Sequence, residues 1–168
     1  MFSNIAHAVK IALNFNISKK VIIKTLPKLS FPGRFNYLKK GRIKKMLHKN
    51  ELIMIDGAHS PYDAKNLYNY LKTIKLPKYG IWAMTKNKEP DLFIKELKNV
   101  FQKVVTMPIE NEKGSVSANE LHKVAIKNKI NSEIAYNFTD ALKKISSKEK
   151  KLIVCFGSLY NCGNILNK

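Results

Sequence analysis

The sequence predicts an α/β protein in which helices cover both faces of a mostly parallel β-sheet. Segments typical of strands and of helices alternate about five times along the 168 residues, a pattern that favours parallel strands joined by crossover helices. Residues 52–55 and 152–156 are short, continuously apolar runs, as expected for strands that are buried on both faces. Helix caps and turn-forming residues separate the segments. Together these observations predict one α/β domain with a short appendage.

The first 28 residues are expected to form two helices. Residues 3–15 place apolar side chains on one helical face with Ser3 as the cap, and Ser18 caps a second helix that stops at Pro27. The turn that follows contains three residues that break regular structure: Ser30, Pro32 and Gly33. We therefore expect a domain boundary at about residues 28–33, with residues 1–28 and 29–168 as the two parts.

The rest of the chain supplies the sheet. Residues 36–47 predict an antiparallel hairpin or an edge strand around a turn at Lys39-Lys40-Gly41. Further strands are predicted at residues 52–55, 79–84, 104–109, 133–136 and 152–156. Helices are predicted from Pro61, from Asp91 to Phe101, from the cap Ser117 to Lys129, from the cap Thr139 to Ile145, and after Gly157-Ser158. Glu120 is the expected capping-box partner of Ser117.

The strongly basic composition suggests nucleic acid as one possible ligand. The net charge is +19, but the basic residues are nearly all lysines scattered along the chain, and only Arg34 and Arg42 are arginines. Base recognition favours clustered arginines, so a basic nucleic-acid-binding module is an alternative hypothesis and specific nucleic-acid binding is not the preferred one. The charge does predict attraction to polyanions, including nucleotides and polyglutamates.

Several other classes of protein are disfavoured by composition. The two cysteines, Cys155 and Cys162, are too few for a disulfide framework or a zinc site. Cys155 lies in an apolar run, which predicts a buried thiol without a redox role. No apolar run approaches the roughly 18 residues of a membrane span, and the amino terminus lacks the pattern of a secretory signal. We expect a soluble, cytoplasmic protein with no membrane partner.

The segment Asp56-Gly57-Ala58-His59-Ser60-Pro61 joins a buried strand to a helix. In an open parallel sheet, ligands bind at this carboxyl edge. Asp56 is suited to accept hydrogen bonds from ribose hydroxyls, and His59 is suited to donate one to a carboxylate or phosphate. The alternative is that Asp56 and Ser60 only cap the helix and that His59 fills a polar turn.

Arg34 follows the turn Pro32-Gly33 and is a second candidate for the site. An arginine among so many lysines indicates a need for the planar guanidinium, which binds phosphate through two parallel hydrogen bonds; the alternative is a surface ion pair. Ser158 follows the last strand and is expected at the same edge as Asp56, either in the site or only as a helix cap. The sequence contains no phosphate-binding glycine loop.

Taken in order, these motifs resemble the carboxyl-terminal part of folylpolyglutamate synthase and dihydrofolate synthase, members of the Mur-ligase superfamily. That family has an asparagine in an Asn-Ala-type helix, then Pro-Gly-Arg, then Asp-Gly-Ala-His-Asn-Pro and, near its end, Gly-Ser-Leu-Tyr. The counterparts here are Asn4, Pro32-Gly33-Arg34, Asp56-Gly57-Ala58-His59-Ser60-Pro61 and Gly157-Ser158-Leu159-Tyr160. The resemblance implies a Rossmann-like sheet of the Mur-ligase C-terminal domain type.

The resemblance also implies an activity. Members of the family use ATP and magnesium to phosphorylate a folate carboxylate, and the amine of glutamate then attacks the acyl phosphate. Residues matching those that contact ATP, the cofactor-binding set, are Asn4, Arg34 and Asp56. Residues matching the glutamate side of the cleft, the catalytic set, are His59, Ser158 and Tyr160. The implied ligands are therefore ATP, folate and glutamate.

Two departures from the family pattern shape the functional hypothesis. The family's central domain holds the phosphate loop and the magnesium ligands, and this sequence contains neither; residues 1–28 match only the last helices of that domain. Ser60 also replaces the usual asparagine. We therefore expect the carboxyl-terminal part of a folate:glutamate ligase, inactive unless a separately encoded amino-terminal half completes it. The alternative is a non-catalytic remnant of a degraded gene.

Overall fold

The computed structural model describes residues 2–29 and 31–167, with only the backbone of Phe2 and Ser3. The chain divides into two compact units, one that ends at Pro32 and one that begins at Gly33. The first unit contains α1 (Phe2–Asn14), α2 (Lys19–Thr25) and a 3-10 turn (Leu26–Lys28). α1 begins one residue before the expected cap Ser3, whereas the Ser18 side chain caps α2 as predicted. Ser30 lies outside the described residues.

The second unit is built around one mixed sheet. Its elements are β1 (Asn36–Tyr37), α3 (Arg42–Met46), β2 (Glu51–Asp56), α4 (Pro61–Lys72), β3 (Lys78–Trp82), α5 (Pro90–Lys95), β4 (Lys103–Thr106), α6 (Ala118–Lys127), β5 (Ser132–Ile134), α7 (Phe138–Ile145), β6 (Lys151–Phe156) and α8 (Leu159–Leu166). The strand order is β1-β2-β6-β3-β4-β5. Every neighbouring pair is parallel except β1 with β2. The predicted α/β class is confirmed.

Alternate residues of the central strand β6 contribute to cores on opposite faces of the sheet. Leu152, Val154 and Phe156 pack with apolar residues of α4, α5 and α6. Ile153 and Cys155 pack with residues of α3, α7 and α8. Because successive side chains of a strand point to opposite faces, a continuously apolar strand requires helices on both faces. That prediction is confirmed.

Three predicted elements are wrong in detail. The edge strand is confirmed by β1, but the second half of the expected hairpin is α3, because Ile43 and Leu47 lie at helical spacing and Ile43 is buried. α5 ends at Lys95, well before Phe101. The cap of α7 is Asn137, whose side chain accepts from the Asp140 N–H, and Thr139 lies inside the helix.

The first unit leaves much of its apolar surface exposed. Ile22 is the one buried residue among its described side chains, whereas Phe15 is 77% and Ile23 is 70% exposed. Between α1 and α2 runs a groove of about 200 Å³, which we call the apolar groove; it is lined by Ala8, Val9, Ala12, Ile17, Val21, Ile22, Thr25, Leu26 and Leu29. No helix within residues 2–29 and 31–167 is long and apolar enough to cross a membrane.

The two thiols are expected to be unreactive in the folded protein. Cys155 and Cys162 are both free and buried, and burial raises the pKa of Cys155 and raises that of Cys162 to about 12. Because the thiolate is the reactive form, we expect no fast reaction with Ellman's reagent at pH 8 and release of two equivalents after denaturation. One fast-reacting thiol in the native protein would contradict this expectation.

Candidate functional site

The connections of the sheet leave a crevice at the carboxyl ends of β2 and β6. These strands are neighbours in parallel register. α4 follows β2 and packs on one face of the sheet, whereas α8 follows β6 and packs on the other. Helices that leave adjacent strands in opposite directions create a topological switch point, which is where open α/β sheets bind their ligands.

The turn that carries Arg34 is fixed against the end of β2. The Gly57 N–H donates to the Gly33 carbonyl at 2.6 Å, and the Phe35 N–H donates to Asp56 Oδ2 at 2.8 Å. Gly33 has a φ of +72°, and a Cβ there would lie 3.2 Å from the Cys162 Cβ. Phe35 has a φ of +45°, a conformation that costs a side-chain-bearing residue roughly 1–2 kcal/mol. The turn is therefore held in a conformation it would not adopt alone.

Arg34 is half-buried at this edge of the sheet. Within the described residues its guanidinium makes no hydrogen bond and no ion pair, so the predicted alternative of a surface ion pair has no support there. Burial raises the pKa of the Asp56 carboxyl, and the hydrogen bonds from the Phe35 and Ala58 N–H groups and the positive charge of Arg34 partly oppose that rise. A half-buried guanidinium with unused donors is suited to bind a phosphate or carboxylate.

His59 is oriented by the backbone that precedes it. Its Nδ1 lies 2.7 Å from the Gly57 carbonyl, and because a carbonyl only accepts, Nδ1 carries the proton in this contact. Asp63 Oδ2 lies 3.9 Å from the same nitrogen. Nε2 is therefore the nitrogen left to interact with a ligand. Ser60 caps α4 by accepting from the Asp63 N–H at 3.1 Å.

Ser158 and Tyr160 lie where β6 passes into α8. Ser158 is 3% exposed, and its Oγ accepts from the Tyr160 N–H at 3.1 Å and from the Asn161 N–H at 3.5 Å. Ser158 therefore caps α8, which satisfies backbone donors at the start of this helix. The Tyr160 side chain is exposed beside it.

A cleft of about 440 Å³ joins His59, Ser158 and Tyr160 at the carboxyl edge. The loops after β3 and β4 supply further lining residues that the sequence analysis did not identify: Thr85, Lys86, Asn87, Lys88, Glu112 and Gly114. Their place in the chain was the available signal, because loops after parallel strands meet at this edge. With two lysines, a histidine and one glutamate, the lining suits a small amino acid bearing carboxylates and an amine.

The loops after β3 and β4 are hydrogen-bonded to each other. The Lys86 N–H donates to the Gly114 carbonyl at 2.7 Å, and the Val116 N–H donates to the Met84 carbonyl at 2.8 Å. Glu112 Oε1 accepts from the Gly114 N–H at 2.8 Å, which fixes this carboxylate at the edge of the cleft. The cleft wall is therefore preformed.

Arg34 and Asp56 do not line this cleft, although both lie at the carboxyl end of β2, where the Phe35 N–H donates to Asp56. Asn4 lies on α1 in the first unit, where it is exposed to solvent. For magnesium, the described part of the chain holds no group of three or more His, Cys, Asp or Glu residues that could bind a metal ion. The second unit thus places Arg34, Asp56, His59, Ser158 and Tyr160 at one edge of its sheet.

The fold and site define an α/β domain whose topological switch point carries a cleft and a half-buried arginine without a hydrogen-bonding partner among the described residues. Residues 39–168 match the family described as dihydrofolate synthetase, C-terminal domain. The chain belongs to this family.

The known proteins that this chain resembles are longer than it is, and the chain matches only part of each. The dihydrofolate synthetase of Saccharomyces cerevisiae is 25% identical over 167 residues, a match that covers 90% of this chain and 38% of that enzyme. The folylpolyglutamate synthase of Mycobacterium tuberculosis complexed with ADP has a TM-score of 0.72 at 20% identity, over 83% of this chain and 32% of that one. A bifunctional folylpolyglutamate synthase/dihydrofolate synthase with Mn, AMPPNP and L-glutamate bound has a TM-score of 0.72 at 19% identity, over 89% and 34%.

Proposed function

We propose that this chain is the carboxyl-terminal part of an ATP-dependent ligase that joins glutamate to a folate. The observation that carries the proposal is the half-buried Arg34, which has no hydrogen-bonding partner among the described residues and lies at the carboxyl edge that also forms the cleft. The names of the related enzymes support the same activity, since they include dihydrofolate synthetase and folylpolyglutamate synthase.

The residues divide between two ligands in this proposal. ATP supplies the phosphoryl group that activates a carboxylate of the folate substrate. Arg34 donates hydrogen bonds to phosphate oxygens and neutralises charge that develops on them, with Asp56 beside it. Asn4, on the first unit, is a further proposed contact of the nucleotide. His59 and Tyr160 line the side that receives glutamate, and Ser158 holds the start of α8 in place there.

The described residues suit ATP but do not supply a site for magnesium. An unpaired arginine fits a nucleotide phosphate, but no cluster of acidic or histidine ligands fits magnesium. We therefore propose that the magnesium ligands and the phosphate loop belong to the remaining portion of the ligase, since the chain spans about 38% of the length of its curated relative. That portion would be needed for activity.

The first unit offers a surface for that remaining portion. The family match begins at residue 39, so α1 and α2 lie outside the matched C-terminal domain. Their apolar groove and exposed Phe15 and Ile23 form the kind of surface that monomeric proteins rarely leave uncovered. We propose that residues 1–28 pack against the nucleotide-binding portion, whether that portion is separately encoded or not.

The test is reconstitution. The purified chain is mixed with a separately expressed nucleotide-binding portion of a family member, together with ATP, magnesium, a folate substrate and glutamate. We expect ADP release that depends on glutamate in the mixture and in neither half alone. If the halves neither co-sediment nor release ADP, the ligase proposal fails, and a non-catalytic remnant becomes the better hypothesis.

A further inference from the structure

Asp56 has both of its carboxylate oxygens engaged by backbone donors. Oδ2 accepts from the Phe35 N–H at 2.8 Å, and Oδ1 accepts from the Ala58 N–H at 2.8 Å. The side chain is 2% exposed at the end of β2. A buried carboxylate is stable only when hydrogen bonds replace its lost hydration, and here one of the two bonds reaches across 21 residues of sequence to the turn that carries Arg34.

The backbone is fixed on both sides of Arg34. Before it, the Gly33 carbonyl accepts from the Gly57 N–H at 2.6 Å. After it, the Phe35 N–H is held by Asp56, and the Phe35 ring packs on Tyr70 with centroids 4.6 Å apart. Phe35 has a left-handed φ of +45°. A non-glycine residue keeps such a conformation only where its surroundings enforce it.

We propose that Asp56 is a positioning residue that acts through Arg34: its carboxylate locks the turn so that the guanidinium is held ready for an anion. This role is additional to any direct contact of Asp56 with a nucleotide, and its binding consequence rests on the proposed function. This role predicts whether Asp56 raises or lowers the affinity for anions. A negative charge beside Arg34 weakens anion binding by simple electrostatics, whereas a carboxylate that positions Arg34 strengthens it.

Two substitutions of Asp56 separate the two effects. In Asp56→Asn, the amide removes the charge and offers one oxygen where the carboxylate offers two, so one of the two backbone donors loses its acceptor. We expect whichever of the Phe35 and Ala58 amides loses its acceptor to exchange with solvent at least about tenfold faster. Asp56→Ala removes the acceptors of both amides, so in that variant the Phe35 amide should exchange faster and pyrophosphate affinity, measured by calorimetric titration, should fall about tenfold. Asp63→Asn is the matched control: it removes a nearby charge without touching the turn, and it should leave the Phe35 amide protected.

Two further measurements exclude a merely structural effect. The amide of Val154, in the central strand, should keep its protection in Asp56→Ala, which shows that the sheet is intact. In an Arg34→Ala background, Asp56→Ala should change pyrophosphate affinity by less than about twofold, because residues that act through one another are not additive.

Each outcome decides the proposal. Higher pyrophosphate affinity in Asp56→Ala, or a Phe35 amide that exchanges no faster in that variant, would overturn it. If Asp56→Ala does not fold, amide exchange in the wild-type protein still tests the proposal. A Phe35 amide that exchanges rapidly in the wild type would show that Asp56 does not hold the turn in place. If the wild-type chain binds no pyrophosphate, the nucleotide role of Arg34 fails, while the exchange data still test the positioning of the turn.

Discussion

Replacing Arg34 with alanine is expected to lower the affinity of the chain for pyrophosphate and ADP about 10- to 100-fold. Hydrogen bonds to a charged group contribute about 1.5–3 kcal/mol, and each 1.4 kcal/mol corresponds to about tenfold in binding. The free energy of unfolding should change by less than about 1 kcal/mol, because the guanidinium makes no hydrogen bond or ion pair with the described residues. Calorimetric titration and thermal melting measure the two quantities.

Arg42→Ala is the matched control for this prediction. Arg34 and Arg42 are the two arginines of the sequence, and either substitution lowers the net charge of +19 by one. Arg42 is exposed at the start of α3, so its loss should leave anion affinity within about twofold. Arg34→Lys should be intermediate, because lysine keeps the charge but lacks the planar fork. Equal losses in both alanine variants would show that the overall charge, and not a site at Arg34, binds the anion.

The sheet could be predicted because its strands obey simple rules. In β6, the side chains on both faces must be apolar when helices cover both faces, and residues 152–156 are apolar without interruption. The first residue of a helix could also be predicted where only one nearby residue was suited to cap it. Ser117 with Glu120 forms the predicted capping box, in which each side chain accepts from the other's backbone N–H.

The errors arose where two local signals competed. Asn137 and Thr139 both have capping side chains, and Phe138 between them is 1% exposed. Burial of Phe138 in the core requires the helix to begin before Thr139, so Asn137 became the cap. Residues 36–47 lack a clear periodicity of apolar residues, and the packing of Ile43 in the core favours a short helix. Tertiary contacts settled both cases, and they are not visible in a short window of sequence.

The candidate site was predictable only where residue type was unusual. Arg34 stood out against the lysines, and Asp56 and His59 stood at the end of an apolar strand. Lys86, Lys88 and Glu112 line the cleft equally, but lysines and glutamates are common on this surface and gave no signal. The part played by Asp56 was also hidden, because its hydrogen bond to the Phe35 N–H joins residues 21 positions apart.

Replacing Gly157 with alanine is expected to destabilise the protein by about 2–5 kcal/mol. Gly157 has a φ of +106°, and an added Cβ would lie 2.4 Å from the Ala83 carbonyl oxygen and 2.7 Å from Trp82 Cδ1. The carbonyl belongs to the backbone and Trp82 is fully buried, so neither can move easily. Left-handed strain costs about 1–2 kcal/mol and overpacking about 1–3 kcal/mol. Urea unfolding, monitored by circular dichroism, measures the loss.

Gly163→Ala is the control, and its effect should have the opposite sign. Gly163 lies inside α8, and an added Cβ there meets nothing within 4 Å. Alanine is favoured over glycine in a helix by about 1 kcal/mol, so this variant should be unchanged or more stable by up to that amount. Equal stability of the two alanine variants would contradict the close approach of β6 to Ala83. Because Gly157 joins β6 to Ser158, a confirmed loss would show that the edge holding the cleft depends on backbone contacts between neighbouring strands that a side chain at this position would break.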